Sequence, residues 1–223
     1  MLRSHVDGII YVGLHDRHID YIINPISKPV VFAFSHGTSD DHYVTYNNYD
    51  SAVNATNYLI DRGHQDIALI AGHPNSFPTH ERLKGFKSAI EKAGLQTRDE
   101  FIRFGDWEYD TGFQITKRLL SLPHRPSAIF AMNDLMATGC LNSAQEFGLQ
   151  VPRDLSIIGF DNREISRYLP VPLTTIQLPN REIGHESARM LLALIDNIPI
   201  EQNSIILSCS LIERASVSSV TIR

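Results

Sequence analysis

Residues 128–141 read Ala128-Ile129-Phe130-Ala131-Met132-Asn133-Asp134-Leu135-Met136-Ala137-Thr138-Gly139-Cys140-Leu141. Four apolar residues stop at an amide and a carboxylate. Ala137, Cys140, Leu141 and Ala144 then recur at helical spacing, up to a stop at Gly148. The run has the length of a buried strand, and the spacing marks one face of a helix N-capped by Asp134. Three further runs stop in the same way: Ile67–Ala71 at Gly72-His73-Pro74-Asn75-Ser76, Phe101–Phe104 at Gly105-Asp106-Trp107, and Leu155–Phe160 at Asp161-Asn162. Repeated strand, polar cluster and helix predict a parallel sheet with helices on its faces. Ligands of such sheets bind beyond the carboxyl ends of the strands. The four clusters are therefore expected on one rim, where they supply carboxylates, amides and one Trp. No nucleophile–base pair accompanies them, which favours a small-molecule receptor over an enzyme.

Outward from this block, helices are predicted near 80–93, with Phe86, Ala89, Ile90 and Ala93 inward and Gly94 as stop, and from Asp110 to Leu122. Upstream, Val6–Gly13, Pro29–Phe34 and the short Val44–Tyr46 read as strands. A helix capped by Asp50 runs to Arg62 and stops at Gly63. Downstream, a long amphipathic helix covers about 179–196, and a last strand lies near Ile205–Leu207, extending toward Ile212. Residues 64–160 hold four strands with a full set of helices; residues 1–63 hold three strands and one helix, so the first half looks truncated.

The 223 residues, 43 % of them hydrophobic, can bury an ordinary core. A net charge of −5 and the lack of a basic run argue against nucleic acid as the partner of these residues. The two cysteines, Cys140 and Cys209, lie in apolar patterns and are expected as buried thiols. No apolar run approaches the roughly 18 residues of a membrane span, and Met1–His5 lacks a leader's apolar stretch. A cytoplasmic protein without membrane association is expected. Among the ten histidines, His15/His18 and His73/His80 are the close pairs, and neither has metal-ligand spacing. No phosphate-binding loop, dinucleotide fingerprint or nucleophile elbow occurs, so neither a metal nor a cofactor is expected.

Several residues carry candidate binding chemistry. Trp107 can stack on a sugar face or a flat base, burying about 150–250 Å² of aromatic surface; the competing reading makes it a core plug. Arg82 shares a helical face with Phe86, Ala89 and Ile90 and points toward the strand ends. It is either a bidentate donor to ligand hydroxyls or a buried brace, paired with Asp161 or Asp134. Asp161 can accept from two adjacent hydroxyls or bond its own turn. Asp134 is read as a helix cap, leaving Asn133 to face the cleft.

The ordered strings Val6-Asp7-Gly8-Ile9-Ile10, Leu59-Ile60-Asp61-Arg62-Gly63-His64, Ile70-Ala71-Gly72, Glu81-Arg82-Leu83-Lys84-Gly85-Phe86, Gly105-Asp106-Trp107, Asn133-Asp134-Leu135-Met136-Ala137-Thr138-Gly139, Val151-Pro152-Arg153-Asp154-Leu155-Ser156-Ile157-Ile158-Gly159-Phe160-Asp161-Asn162 and Leu173-Thr174-Thr175-Ile176 closely resemble the LacI/GalR family of bacterial transcriptional regulators. The match runs over about residues 6–217. It implies an α/β, two-lobed periplasmic-binding-protein-like (type I) fold, with parallel sheets flanked by helices and the first lobe truncated at its N-terminus. Residues 1–63 and a returning helix at 177–200 would form the first lobe, and 64–176 with a final strand at 201–217 the second. By resemblance the effector lies between the lobes, contacted by Arg82, Trp107, Asn133 and Asp161, beside Phe34, with Ser76 and Thr79 at the edge. A homodimer contact would include Tyr168 and Leu169. Operator DNA would be read only by a helix-turn-helix that these residues do not contain. Where many members place Asp at the end of the strand 29–34, this chain has Phe34-Ser35, one hydroxyl acceptor fewer.

The reading is the effector-sensing part of such a regulator, binding a sugar or sugar derivative. A purine or nucleoside effector in the same family is the alternative. A stand-alone sugar-binding protein, or an enzyme acting on a sugar or nucleotide, are the rivals from other classes.

Overall fold

The computed structural model describes residues 6–13, 27–37 and 40–220. The His15/His18 pair and the first five residues fall outside these. The described residues form two compact units, the first made of those up to Asn47 with Pro179–Ser208, the second of Asn48–Leu178 with those from Cys209 onward.

In the first unit, β1 (Ile9–Val12), β2 (Val30–Ala33), β3 (Tyr43–Tyr46) and β9 (Ser204–Leu207) form a parallel sheet in that spatial order. Helix α5 (Asn180–Ile195) lies against it and buries Ile183, Ser187 and Met190. At Gly8, just before β1, a methyl group would come within 2.7 Å of the Leu191 side chain, so helix and strand approach closely there.

The second unit holds a six-stranded sheet in the order β10-β8-β7-β6-β4-β5. Its strands are β4 (Ile67–Ala71), β5 (Ile102–Phe104), β6 (Ala128–Ala131), β7 (Ser156–Asp161), β8 (Thr174–Gln177) and the antiparallel edge β10 (Ser210–Ile212). Every residue of β4 and β6 is buried, with no alternation. That pattern belongs to a parallel sheet covered on both faces. The cover is α1 (Asn48–Ile60) packed on α2 (Phe77–Lys92), and α3 (Tyr109–Leu120) packed on α4 (Asp134–Glu146). The expected stops at Gly94 and Gly148 adopt φ of 70° and 68°. Gly94 closes α2 with Leu95 N–H donating to the Ile90 carbonyl (3.0 Å), a left-handed cap that glycine adopts without steric cost.

Two assignments of the sequence reading change. Helix α1 belongs to the second unit, because the Tyr49 carbonyl and the Ala52 side chain pack on Gly85 of α2. The last strand is two strands. β9 stays in the first unit by pairing with β3, and only β10, after Ser208-Cys209, reaches the second sheet. Polar Ser208 and Ser210 flank the switch, but their sequence carries no turn residue that announces it.

Helices α3 and α4 meet backbone to backbone. A methyl group at Gly139 would stand 2.3 Å from the Tyr109 carbonyl oxygen, and one at Gly112 2.3 Å from that of Met136. Gly139→Val should therefore cost about 1–3 kcal/mol through overpacking. The measurement is a lowered urea midpoint at unchanged slope; an unchanged midpoint would mean that the pair has slack.

Candidate functional site

The strand order reverses between β4 and β6: the chain goes from β4 outward to β5, then returns to β6 and proceeds to β7 and β8. Crevices form at such a switch point, outside the carboxyl ends of the strands. Register places those ends side by side, with Ala71 opposite Phe104, Ile70 opposite Ala131, and Phe130 opposite Ile158. The residues that follow are Gly72, Gly105-Asp106-Trp107, Met132-Asn133 and Asp161, so the four clusters do share one rim.

Arg82, in the second turn of α2, is 3 % exposed. Its Nε donates to Asn48 Oδ1 at 2.9 Å, and Nη1 donates to the Met132 carbonyl. The guanidinium carbon lies 3.5 Å from the centre of the Phe160 ring and 5.6 Å from that of Trp107. The expected readings were two hydrogen bonds to a ligand's hydroxyls or carboxylate, or a buried brace with Asp161 or Asp134. In the structure two of its donors go to an amide and a carbonyl and its flat face meets an aromatic ring, with the Asp161 charge near it.

Trp107 is half-buried and rests on Gly72: a methyl group there would fall 2.0 Å from an indole carbon. It is not a core plug beneath α3. Its φ is 75°, a left-handed conformation costing a residue with a side chain roughly 1–2 kcal/mol. Asp106 braces the turn by accepting the Glu108 amide at 3.0 Å, and its pKa is lowered, first by the Thr111 hydroxyl.

Asn133 corrects the cap assignment. It, not Asp134, is the N-cap of α4, accepting the Met136 amide at 2.8 Å. Its Nδ2 donates to the Trp107 carbonyl at 2.8 Å, and the residue is 4 % exposed. The side chain expected to face the cleft thus binds two pieces of backbone. Asn and Asp cap equally well, so adjacent candidates leave the sequence ambiguous.

Asp134 goes inward. Its carboxylate accepts the Arg163 amide at 2.7 Å and the Thr175 hydroxyl at 2.5 Å, above Gly159 of β7. Burial pushes its pKa up to about 7; the nearby Asp161 charge adds to this, while Thr175, Arg163 and Arg214 oppose it. Arg214 extends the network to Asn162 Oδ1 (2.6 Å), the Leu173 carbonyl (2.6 Å) and Ser166 Oγ (3.2 Å).

Asp161 itself has a side chain 17 % exposed, with Arg163 Nε 3.5 Å away. Burial raises its pKa; the Arg82 and Arg163 charges pull it back. Asp161 and Asn162 have φ of 108° and 53°. The hydroxyls of Ser76 and Thr79 are buried with no hydrogen-bond partner among the described residues. Thr79 is fully buried on the face of α2 that carries Arg82, rather than at an edge.

In the first unit, Phe34 follows β2 with φ of 54° and meets Tyr46 edge to face, ring centres 6.3 Å apart. Sequence reasoning missed Asn48, Gly72 and Phe160. Phe160 had a signal: one residue before Asp161 on a strand, it must face the opposite side of the sheet, where α2 lies. Cys209, expected in a strand, lies between β9 and β10, within reach of the Arg82 and Asp161 charges; burial raises its pKa. Burial holds the Cys140 thiol up to about 12. Among the described residues no cluster of His, Cys, Asp or Glu could hold a metal ion, and no helix is long and apolar enough to cross a membrane.

Residues 56–217 match the periplasmic binding protein-like domain family. The chain is 35 % identical, over 99 % of its length and 67 % of the relative's, to the HTH-type transcriptional repressor PurR of Actinobacillus pleuropneumoniae. The chain belongs to the LacI family. It is also 39 % identical to the HTH-type transcriptional repressor CytR of Escherichia coli over 79 % of its own length. It spans 52 % of that repressor, about half of it. The structure superimposes on a transcriptional regulator CelR–cellobiose complex with a TM-score of 0.83 at 30 % identity, covering 95 % of this chain and 66 % of that one. These LacI-family relatives are transcription regulators, not enzymes, and this chain corresponds to their effector-binding region.

The Asp134 network makes a pH prediction. With a folded pKa near 7 against an ordinary 3.8, the folded chain keeps this proton where the unfolded chain releases it. Stability from this group is full below about pH 4 and falls as pH rises toward 7. The melting temperature of Asp134→Asn, relative to the parent chain, should therefore climb steadily across that window. A difference independent of pH would overturn the assignment.

Proposed function

We propose that the rim of the second unit binds a sugar or sugar derivative, the effector of a LacI-family transcription regulator, and that its occupancy is passed to a DNA-binding region of the kind the HTH-type relatives possess. The observation that carries this is the grouping of one aromatic face, one guanidinium and one carboxylate at a strand-order switch point. The Trp107 indole, resting on Gly72 while its backbone carbonyl is tied to the Asn133 amide, suits the C–H face of a pyranose or furanose ring. Asp161, ending β7, suits two neighbouring hydroxyls. The cellobiose complex of the CelR regulator supports the sugar class.

The same indole also stacks on a purine or pyrimidine, so a nucleoside, which combines a base with a sugar's hydroxyls, is the second reading. Arg82 contributes mostly charge, since two of its nitrogens are committed to Asn48 and Met132. Tyr168 is 71 % exposed beside Ile165 and Leu169, and these residues form the proposed dimer contact. Sedimentation should show a dimer that Tyr168→Arg splits; a parent chain monomeric at tens of micromolar would refute it.

A thermal-shift screen of cellobiose, ribose, glucose, adenosine and cytidine tests the effector class. A ligand at a hundred times its Kd stabilises by about 2.7 kcal/mol. A sugar should raise the melting temperature of the parent chain, and Asp161→Asn or Trp107→Ala should abolish the shift while still melting cooperatively. A response to nucleosides alone would replace the sugar reading, and no response to any of them would sink both.

A further inference from the structure

The aromatic platform does not hold itself. Trp107 sits in a left-handed conformation that its own side chain disfavours, so something outside the residue fixes it. Gly72 is the first candidate. It is buried, and its φ is not in the left-handed region, so its backbone does not require glycine. Its lack of a side chain is filled instead. A methyl group there would stand 2.0, 2.2 and 2.3 Å from three carbons of the indole, inside the ring's own volume. Asn133 is the second candidate. One end of its amide caps α4 and the other donates 2.8 Å to the Trp107 carbonyl. The ring is thus set from below by the space left at Gly72 on β4's exit, and the peptide from the side by the N-cap residue of α4.

We infer that Gly72 and Asn133 are positioning residues for Trp107, fixing where the indole can receive a ring, and that Asn133 acts on the site through this tie to the Trp107 peptide. The inference rests on the rim being an effector site, but the platform can be measured without any effector. Trp107 is the sole tryptophan in the chain, so indole fluorescence and near-ultraviolet circular dichroism report on it alone. Gly72→Ala displaces the ring. Asn133→Ser keeps an N-cap oxygen while withdrawing the donor from the Trp107 carbonyl. Asn133→Asp does the same with a carboxylate.

Each variant should show far-ultraviolet dichroism like that of the parent chain. Each should also show red-shifted emission, faster acrylamide quenching and a weakened indole band in the near ultraviolet. Cellobiose affinity should fall about tenfold in Gly72→Ala, the worth of a lost stacking contact. Should Gly72→Ala fail to fold, the two Asn133 variants decide through the same spectra. Indole spectra in Asn133→Ser that superimpose on the parent chain's overturn the inference. A parent chain that binds no sugar or nucleoside removes the functional reading, and the spectra still judge the positioning.

Discussion

A guanidinium can leave water only if its donors and its flat face find partners, because an uncompensated buried charge costs several kcal/mol. Arg82 meets that condition with the Asn48 side chain, the Met132 carbonyl and the Phe160 ring. Those partners belong to three different elements: the start of α1, the exit of β6 and the end of β7. One side chain therefore clips together the edge at which the sheet presents its polar residues. Lysine carries no planar face for Phe160 and no fork of donors for both oxygens, so it would not replace arginine here.

That clip lets the rim hold conformations a loose loop would relax. Trp107, Asp161 and Asn162 all have positive φ, and each sits where a strand has just ended. Strain of this kind persists only where the surroundings over-determine it. The surroundings are the Asn133 tie to Trp107 and, on the other side, the Asp134 carboxylate anchoring Arg163 and Thr175. Asp134 costs burial of a charge, which is why its proton is held to near neutrality. Its return is a fixed exit from β7, and hence a fixed Asp161.

Fold alone does not name a function, since one architecture hosts many chemistries. Here the family and the rim converge. LacI-family membership assigns these residues to effector sensing, and the rim groups a guanidinium, a carboxylate and a flat apolar ring. Burial raises the Asp161 pKa while Arg82 and Arg163 lower it, so the carboxylate balances between desolvation and its cationic neighbours.

The sequence by itself determined the elements and their punctuation. Buried runs at 67–71, 128–131 and 155–160, helical spacings after them and glycine stops at 94 and 148 are local signals, and the structure shows strands, helices and left-handed stops there. It also determined that Arg82, Trp107 and Asp161 share one rim, because parallel strands present their carboxyl ends together. Tertiary structure decided what those side chains hold. Asn48 meets Arg82 across 34 residues and Gly72 meets Trp107 across α2 and β5, contacts that no periodicity encodes. It decided which of two equivalent cap residues turned inward at 133–134, since the choice depends on Thr175 and Arg163 lying beneath. It decided, too, that α1 joins the second unit and β9 the first, because sheet pairing and helix packing are settled between segments distant in the chain.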